Sequence, residues 1–260
     1  MRRIIASLLL ALSAILPQPA LAMNVWGTDM SDWWWNTAED GWGVNIAHES
    51  DTIFIAFFVY DTGQRAKWYS GALTSTGGYT FTGVMYETTG PWFGGFFNPN
   101  AVGRRVAGNA TITFPFISTG ASLTYTIDGI TVAKTLERFT FKVQNLSGQF
   151  AGAIVGTATG CATNGAYSNT GTFLVNHFSA SRILITASTT GGRTCNYDGT
   201  YAQRGRMGSV VGTYSCSGTG GISSGNFNLL EIEVGNAFVA RYTASSGACS
   251  ESGRIGGMRY

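Results

Sequence analysis

Apolar and polar residues alternate with a period of two along most of the chain. No segment longer than a turn carries the 3.6-residue spacing of an amphipathic helix. Over residues 79–86, Tyr79, Phe81 and Met85 share one parity, and Thr80, Thr82 and Val84 the other. This alternation predicts a half-buried strand. Residues 52–61 (TIFIAFFVYD) differ. Ile53, Ile55, Phe57 and Val59 lie on one parity, and Phe54, Ala56, Phe58 and Tyr60 on the other. Two apolar faces predict a strand buried on both sides. Residues 123–127 and 130–132 flank Asp128-Gly129, a strong hairpin signal because both turn positions tolerate positive φ. After this hairpin the apolar parity reverses. Val132 and Leu136 share one parity, and Phe139, Phe141 and Val143 the other. A β-bulge or a strand end near Glu137-Arg138 is expected.

The second half reads as about eight short strands, near residues 149–158, 171–177, 182–189, 194–202, 208–215, 226–234, 237–244 and 252–259, separated by Gly, Ser and Asn. Their number and spacing suit an up-and-down barrel or a sandwich. Gly199-Thr200-Tyr201 is echoed by Gly212-Thr213-Tyr214, and Gly205-Arg206-Met207-Gly208 by Gly253-Arg254-Ile255-Gly256. Hairpins on one plan are expected, with Gly where a closed sheet bends sharply. All seven Trp precede residues 144–148, and all four Cys follow them. The expected organisation is therefore all-β, in two small antiparallel domains of barrel or sandwich type. One is Trp-rich (23–146) and the other Cys-containing and barrel-like (147–260), with Gly-rich hairpins and no substantial helix.

Residues 1–22 are excluded from this fold. Arg2 and Arg3 precede an apolar run over 4–16, Pro17-Gln18-Pro19 breaks any helix, and Ala20-Leu21-Ala22 fits a small-x-small cleavage rule. This is the form of a secretory signal peptide. The run is shorter than the roughly 20 residues that cross a bilayer, so no transmembrane helix is expected in the mature chain. Without Arg2 and Arg3, Lys plus Arg falls from 16 to 14, against 14 Asp plus Glu. A neutral chain lacks the electrostatic footprint of a nucleic-acid binder. The halves carry opposite charge: 7 basic and 10 acidic groups over 23–146, then 7 basic and 4 acidic. A split of −3 against +3 is too small to name a partner, though it could help the halves pack together. Charged residues are only 12% of the chain and hydrophobic ones 44%, which excludes a disordered segment. Export places the protein in the periplasm or outside the cell, with the outer membrane as a candidate surface. A transmembrane β-barrel is the architectural rival. Four Cys, strands with two apolar faces and the lack of long polar loops weigh against it.

Four cysteines in an exported chain predict two disulfides; their spacings fit no zinc signature. Cys195 and Cys216 flank a hairpin turning near 205–208, which brings their Cβ atoms close to the ~3.8 Å that a disulfide needs. Cys161 and Cys249 remain, near the first and last strands, which are neighbours in a closed barrel.

The densest chemical feature is 32–48 (DWWWNTAEDGWGVNIAH). Alternate strand residues face opposite sides, so Trp33, Trp34 and Trp35 cannot all point inward. Exposed aromatics stack on sugar faces or apolar ligands. Trp33, Trp34, Trp35, Trp42, His48, Trp68, Tyr69 and Trp92 are the candidate ligand-binding residues. The plainer role is core packing, and for His48 a hydrogen-bonded place at the core edge. Trp34-Trp35-Asn36 followed by Glu39-Asp40-Gly41-Trp42-Gly43-Val44-Asn45 resembles a W-W-N-x-x-E-x-G-W-G-x-N signature of an uncharacterised family of secreted proteobacterial β proteins. Tyr60-Asp61, Trp68-Tyr69, Tyr86 and Gly90-Pro91-Trp92 extend the resemblance over roughly 33–142. The later half resembles the Cys- and Gly-rich modules that accompany it. Asp40 stands where Ser is common, and Ala66 where Pro is usual. The resemblance implies export and a β fold, and no activity.

Enzyme signals are weak. Gly221-Ile222-Ser223-Ser224-Gly225 matches the nucleophile-elbow pattern without the strand–turn–helix context it needs. Glu39-Asp40 and Glu231/Glu233 are the candidate carboxylate pairs for glycoside chemistry. The second pair alternates with Leu230, Ile232 and Val234, as on a solvent face. His177 has no evident Asp partner. No catalytic residue, cofactor or metal is expected. The leading expectation is an exported non-catalytic protein that binds a carbohydrate or small apolar ligand through its aromatic first domain. The alternative is a structural or interaction protein of the cell envelope, and a hydrolase ranks below both.

Mass spectrometry of protein from the envelope or medium should find a chain starting at Met23; an intact Met1 in cytoplasm is the contrary result. Paired removal of Cys161 and Cys249 should destabilise more than removal of Cys195 and Cys216. Chain entropy assigns about 4–5 kcal/mol to the longer loop and about 3 kcal/mol to the shorter, and denaturant titration reads the difference.

Overall fold

The computed structural model describes residues 28–115, 120–219 and 223–260. The leader (1–22) and Trp26 lie outside the described residues, as do Gly221 and Ile222 of the Gly-x-Ser-x-Gly match. The first sheet comprises β1 (Asp32–Trp35), β2 (Gly43–Glu49), β3 (Thr52–Tyr60), β4 (Ala66–Gly77), β5 (Thr80–Thr89), β6 (Gly103–Thr113), β7 (Gly120–Ile127) and β8 (Ile130–Arg138). The second comprises β9 (Gly148–Thr159), β10 (Gly165–Ser179), β11 (Arg182–Thr189), β12 (Arg193–Arg204), β13 (Met207–Gly218), β14 (Ser223–Val234), β15 (Ala237–Ser246) and β16 (Cys249–Arg259). Each is an antiparallel up-and-down sheet that closes on itself, β1 against β8 and β9 against β16. Both domains are thus barrels and neither is a sandwich. A 3-10 turn at Pro99–Ala101 is the only helical element among the described residues.

Eight strands leave an interior just wide enough for side chains to fill, and two separate cores fill these two. Trp34, Val44, Ile46, Ile55, Phe57, Leu73 and Leu123 pack the first. Phe150, Phe173, Ile185, Tyr197, Phe227 and Ile255 pack the second, which also takes in Leu146. Inward rows are predominantly apolar in both barrels, unlike the polar lumen of a membrane-spanning barrel. Among the described residues no helix is long and apolar enough to cross a membrane.

β3 departs from the expectation of two buried faces. Ile53, Ile55 and Phe57 are buried, whereas Phe54, Phe58 and Tyr60 are exposed. A barrel wall is a single layer, and no second layer covers its outside. The Asp128-Gly129 turn has φ of 50° and 80°, the double positive φ of a primed hairpin turn. The parity reversal after Leu136 marks a strand end. β8 stops at Arg138, whose side chain points inward, and Phe139 donates its N–H to Trp33 O at 2.7 Å while its ring stays outside.

Disulfides join Cys195 to Cys216 and Cys161 to Cys249. The first pair sits at directly opposed positions of β12 and β13 and points into the barrel. The second ties the ends of β9 and β16. Because the Cys195–Cys216 sulfurs are interior, alanine pairs make the fairer stability comparison, since serine would bury hydroxyls there.

The β12–β13 turn docks the second barrel onto the base of the first. Arg206 N–H donates to Asp32 Oδ2 at 3.0 Å, and Gly205 N–H to Thr140 Oγ1 at 2.6 Å. The Arg206 guanidinium pairs with Asp29 and with Glu233, the latter at 3.2 Å. Arg204 reaches Glu137 at 3.1 Å. Gln203 donates to Lys142 O at 2.8 Å and accepts from Gln144 N–H at 2.8 Å. The opposite charges of the halves thus meet at acids of the first barrel and arginines of the second. Gly205 has φ of +59°, and a Cβ there would lie 2.2 Å from Asp32 Oδ2. Gly205→Ala should therefore cost about 2 kcal/mol or more. That corresponds to a fall of roughly 4–8 °C in Tm, with the circular dichroism of both sheets retained at low temperature. An unchanged Tm would show that the turn does not govern docking.

Candidate functional site

β1 is only four residues long, and its three tryptophans divide by parity. Trp34 points inward and is 1% exposed. Its indole N–H donates to Met30 O at 3.1 Å, and its ring meets Phe114 at 5.2 Å. Trp33 and Trp35 point outward. Trp33 is 42% exposed and lies 5.4 Å from Phe58 of β3. Trp35 meets Phe139 edge-on at 5.2 Å, and Phe139 stacks on Phe141 at 6.4 Å. These rings, with Asp40, Gly41 and Trp42 of the β1–β2 connection and Gly43 at the start of β2, line a groove of about 530 Å³ on the outer wall. Trp33 and Phe141 also border a second hollow of about 350 Å³ at the barrel junction. Its lining is mixed: Ser31, Asp32, Asn45, Lys142, Gln144 and Arg206 contribute polar groups beside Ile46 and the two rings.

One lining residue, Trp42, is held by an ion pair. Glu39 accepts from Lys134 Nζ on both carboxylate oxygens, at 2.8 and 2.7 Å, and from the Trp42 indole N–H at 2.9 Å. Lys134 also lies 5.7 Å over the Trp42 ring. The Lys134 hydrogen bond holds the Glu39 carboxyl below its ordinary range. A carboxylate so engaged is a poor general acid, and Glu39 serves instead to orient Trp42.

The other expected residues scatter. His48 is at the opposite end of the first barrel. Its Nδ1 accepts from Met30 N–H at 3.2 Å, and its Nε2 donates to Ser50 O at 2.9 Å. An amide only donates and a carbonyl only accepts, so the ring is the neutral Nε2–H tautomer with both nitrogens used. Tyr69 is buried in the core. Trp68 is exposed on the outer wall beside its cross-strand partner Phe58, outside the groove lining. Trp92 lies on the β5–β6 connection. His177 accepts from Leu146 N–H at 3.3 Å and meets Tyr201 edge-on, and burial lowers its pKa. Glu231 and Glu233 are spent on Arg241 and Arg206. Ser223 and Ser224 lie in β14, away from any helix. Among the described residues no cluster of His, Cys, Asp or Glu is arranged to hold a metal.

Sequence reasoning missed Phe58, Phe139 and Phe141 as groove residues. The signal was present for two of them, because the parity reversal after Leu136 is the point where apolar side chains move outside. No protein-family model matches the chain, and no curated protein matches its sequence.

Proposed function

We propose that the protein is an exported, non-catalytic binding protein. In this account it takes a ligand with a flat apolar face in the groove of Trp33, Trp35, Phe58, Phe139 and Phe141. The observation that carries this proposal is the exposed aromatic platform directly bordering a hollow that offers several polar side chains. A groove of about 530 Å³ lies within the usual range for small-molecule sites, roughly 300–1,000 Å³. A sugar ring has apolar C–H faces and a polar rim. Its faces suit Trp33 and Phe141, and its hydroxyls suit Asn45, Gln144 and the Lys142 ammonium next to them. A carbohydrate therefore fits better than a wholly apolar ligand, which would use the platform and waste the hollow. The leader supports export to the periplasm or beyond, as does the resemblance to secreted β proteins, and the two disulfides are compatible with it. An envelope protein without a ligand would have no use for five aromatics gathered from β1, β3 and the segment after β8.

Titration of the full mature chain with a panel of neutral and charged oligosaccharides should change tryptophan emission and release heat. Trp33→Ala and Phe141→Ser should each weaken binding by roughly 5- to 30-fold, the equivalent of about 1–2 kcal/mol of lost apolar contact, with Tm unchanged. Glu39→Gln should create no loss of turnover, because none is expected. If no glycan or apolar probe shifts the emission, the groove is not a binding site.

A further inference from the structure

The β5–β6 connection stands apart from the groove and is the least sheltered part of the first barrel. Residues 88–103 (TTGPWFGGFFNPNAVG) contain no charged side chain. Trp92, Phe93, Phe96 and Phe97 are all exposed, Phe93 at 90% and Phe96 at 92%. Large aromatics at this exposure are held out by backbone turns. Gly95 N–H bonds to Trp92 O, Ala101 N–H to Asn98 O, Val102 N–H to Pro99 O, and Asn100 N–H to the Asn98 side chain. Odd strands of a meander end on the same side. The loop therefore lies at the end of the barrel opposite the junction with the second barrel. Tyr60 and Ile130, both exposed, mark the same end.

We propose that this loop is a membrane-surface anchor that inserts its aromatic tip into the interfacial layer of a lipid bilayer. Three observations select lipid as the occupant. Indole and phenyl rings are the side chains that settle at the boundary between headgroups and acyl chains. The tip's turns bond internally, which limits the penalty for carrying backbone polar groups out of water. The charge at the loop base also complements an anionic headgroup layer. Lys67 and Arg105 engage Glu87, and Arg105 also engages Asp128 at 2.6 Å. Arg104 lies 5.0 Å over the Tyr86 ring and makes no ion pair among the described residues. The base thus carries a net positive charge next to an uncharged tip. A convex tip with nearly naked rings is also a poor match for a flat protein surface, whereas a fluid lipid layer conforms to it. This anchor is independent of the groove and stands whether or not the groove binds a ligand.

The test is flotation of the full mature protein with vesicles of phosphatidylethanolamine and phosphatidylglycerol (3:1), and of phosphatidylcholine alone. The wild type should float with both, more strongly with the anionic mixture. Phe93→Ser combined with Phe96→Ser should weaken flotation by about tenfold or more without changing Tm. Arg104→Gln should remove only the salt-sensitive part on anionic vesicles. A groove variant, Trp33→Ala, should float like the wild type. Lipids brominated on the acyl chain should quench wild-type emission more than that of Trp92→Phe. Three results would overturn the proposal: no flotation with either vesicle, equal flotation of the double Phe variant, or self-association of the wild type that the double variant abolishes while neither floats.

Discussion

Arg138 holds the first barrel shut and carries the second. Its side chain is fully buried, stacked 4.7 Å from the Trp34 ring, and paired with Asp32 at 3.0 Å. It also donates to Asp29 O at 2.7 Å and to Ser31 O at 3.2 Å. Burial lowers its pKa, against the raising effect of Asp32. A buried cation held by several acceptors is stable only while they stay in place, because removing one partner strands a charge in apolar surroundings. Here those neighbours belong to β1 and its lead-in: Asp32 opens the strand, and Asp29 and Ser31 precede it. The short β1–β8 seam is therefore closed by a charge cluster more than by its ladder, and the same Asp32 carboxylate receives Arg206 N–H from the second barrel. Closure and docking share one carboxylate.

The groove is a by-product of that seam. β1 must place Trp34 inside to cover Arg138, and parity then forces Trp33 and Trp35 outside. Arg138 occupies the last inward position of β8, so Phe139 and Phe141 have no interior left to enter. Phe58 alternates with Phe57, which the core claims. Five rings reach one patch of outer wall because each has a neighbour that the interior takes first.

Much of the architecture was legible in the chain. Period-two patterning over 79–86, the Asp128-Gly129 turn and the segregation of Trp from Cys all correspond to features of two antiparallel β domains. Gly199 and Gly212, the paired members of one sequence echo, lie directly opposite each other across β12 and β13. The two-sided apolar strand 52–61 misled, because the same pattern serves a strand sandwiched between layers and a barrel wall with an adhesive exterior. Periodicity reports which residues are alike, not what covers them. The candidate groove was half legible: Trp33, Trp34, Trp35 and Trp42 line it, whereas His48, Trp68, Tyr69 and Trp92 do not. Phe58, Phe139 and Phe141 come from strands far apart in the chain, and only closure of the sheet brings them together.

Both sheets return to their starting strand. Among the described residues the second barrel closes over ten β9–β16 pairs and leaves no long row of unpaired N–H and C=O groups through which exposed β proteins recruit one another into fibrils. The first closes on two β1–β8 pairs and leaves 130–136 of β8 without a ladder partner on that side. This chain is rich in the aromatic and β-branched residues that such growth favours. Closure separates stickiness from templating: the surface can adhere through its rings while, outside that one stretch of β8, its backbone has little left to copy.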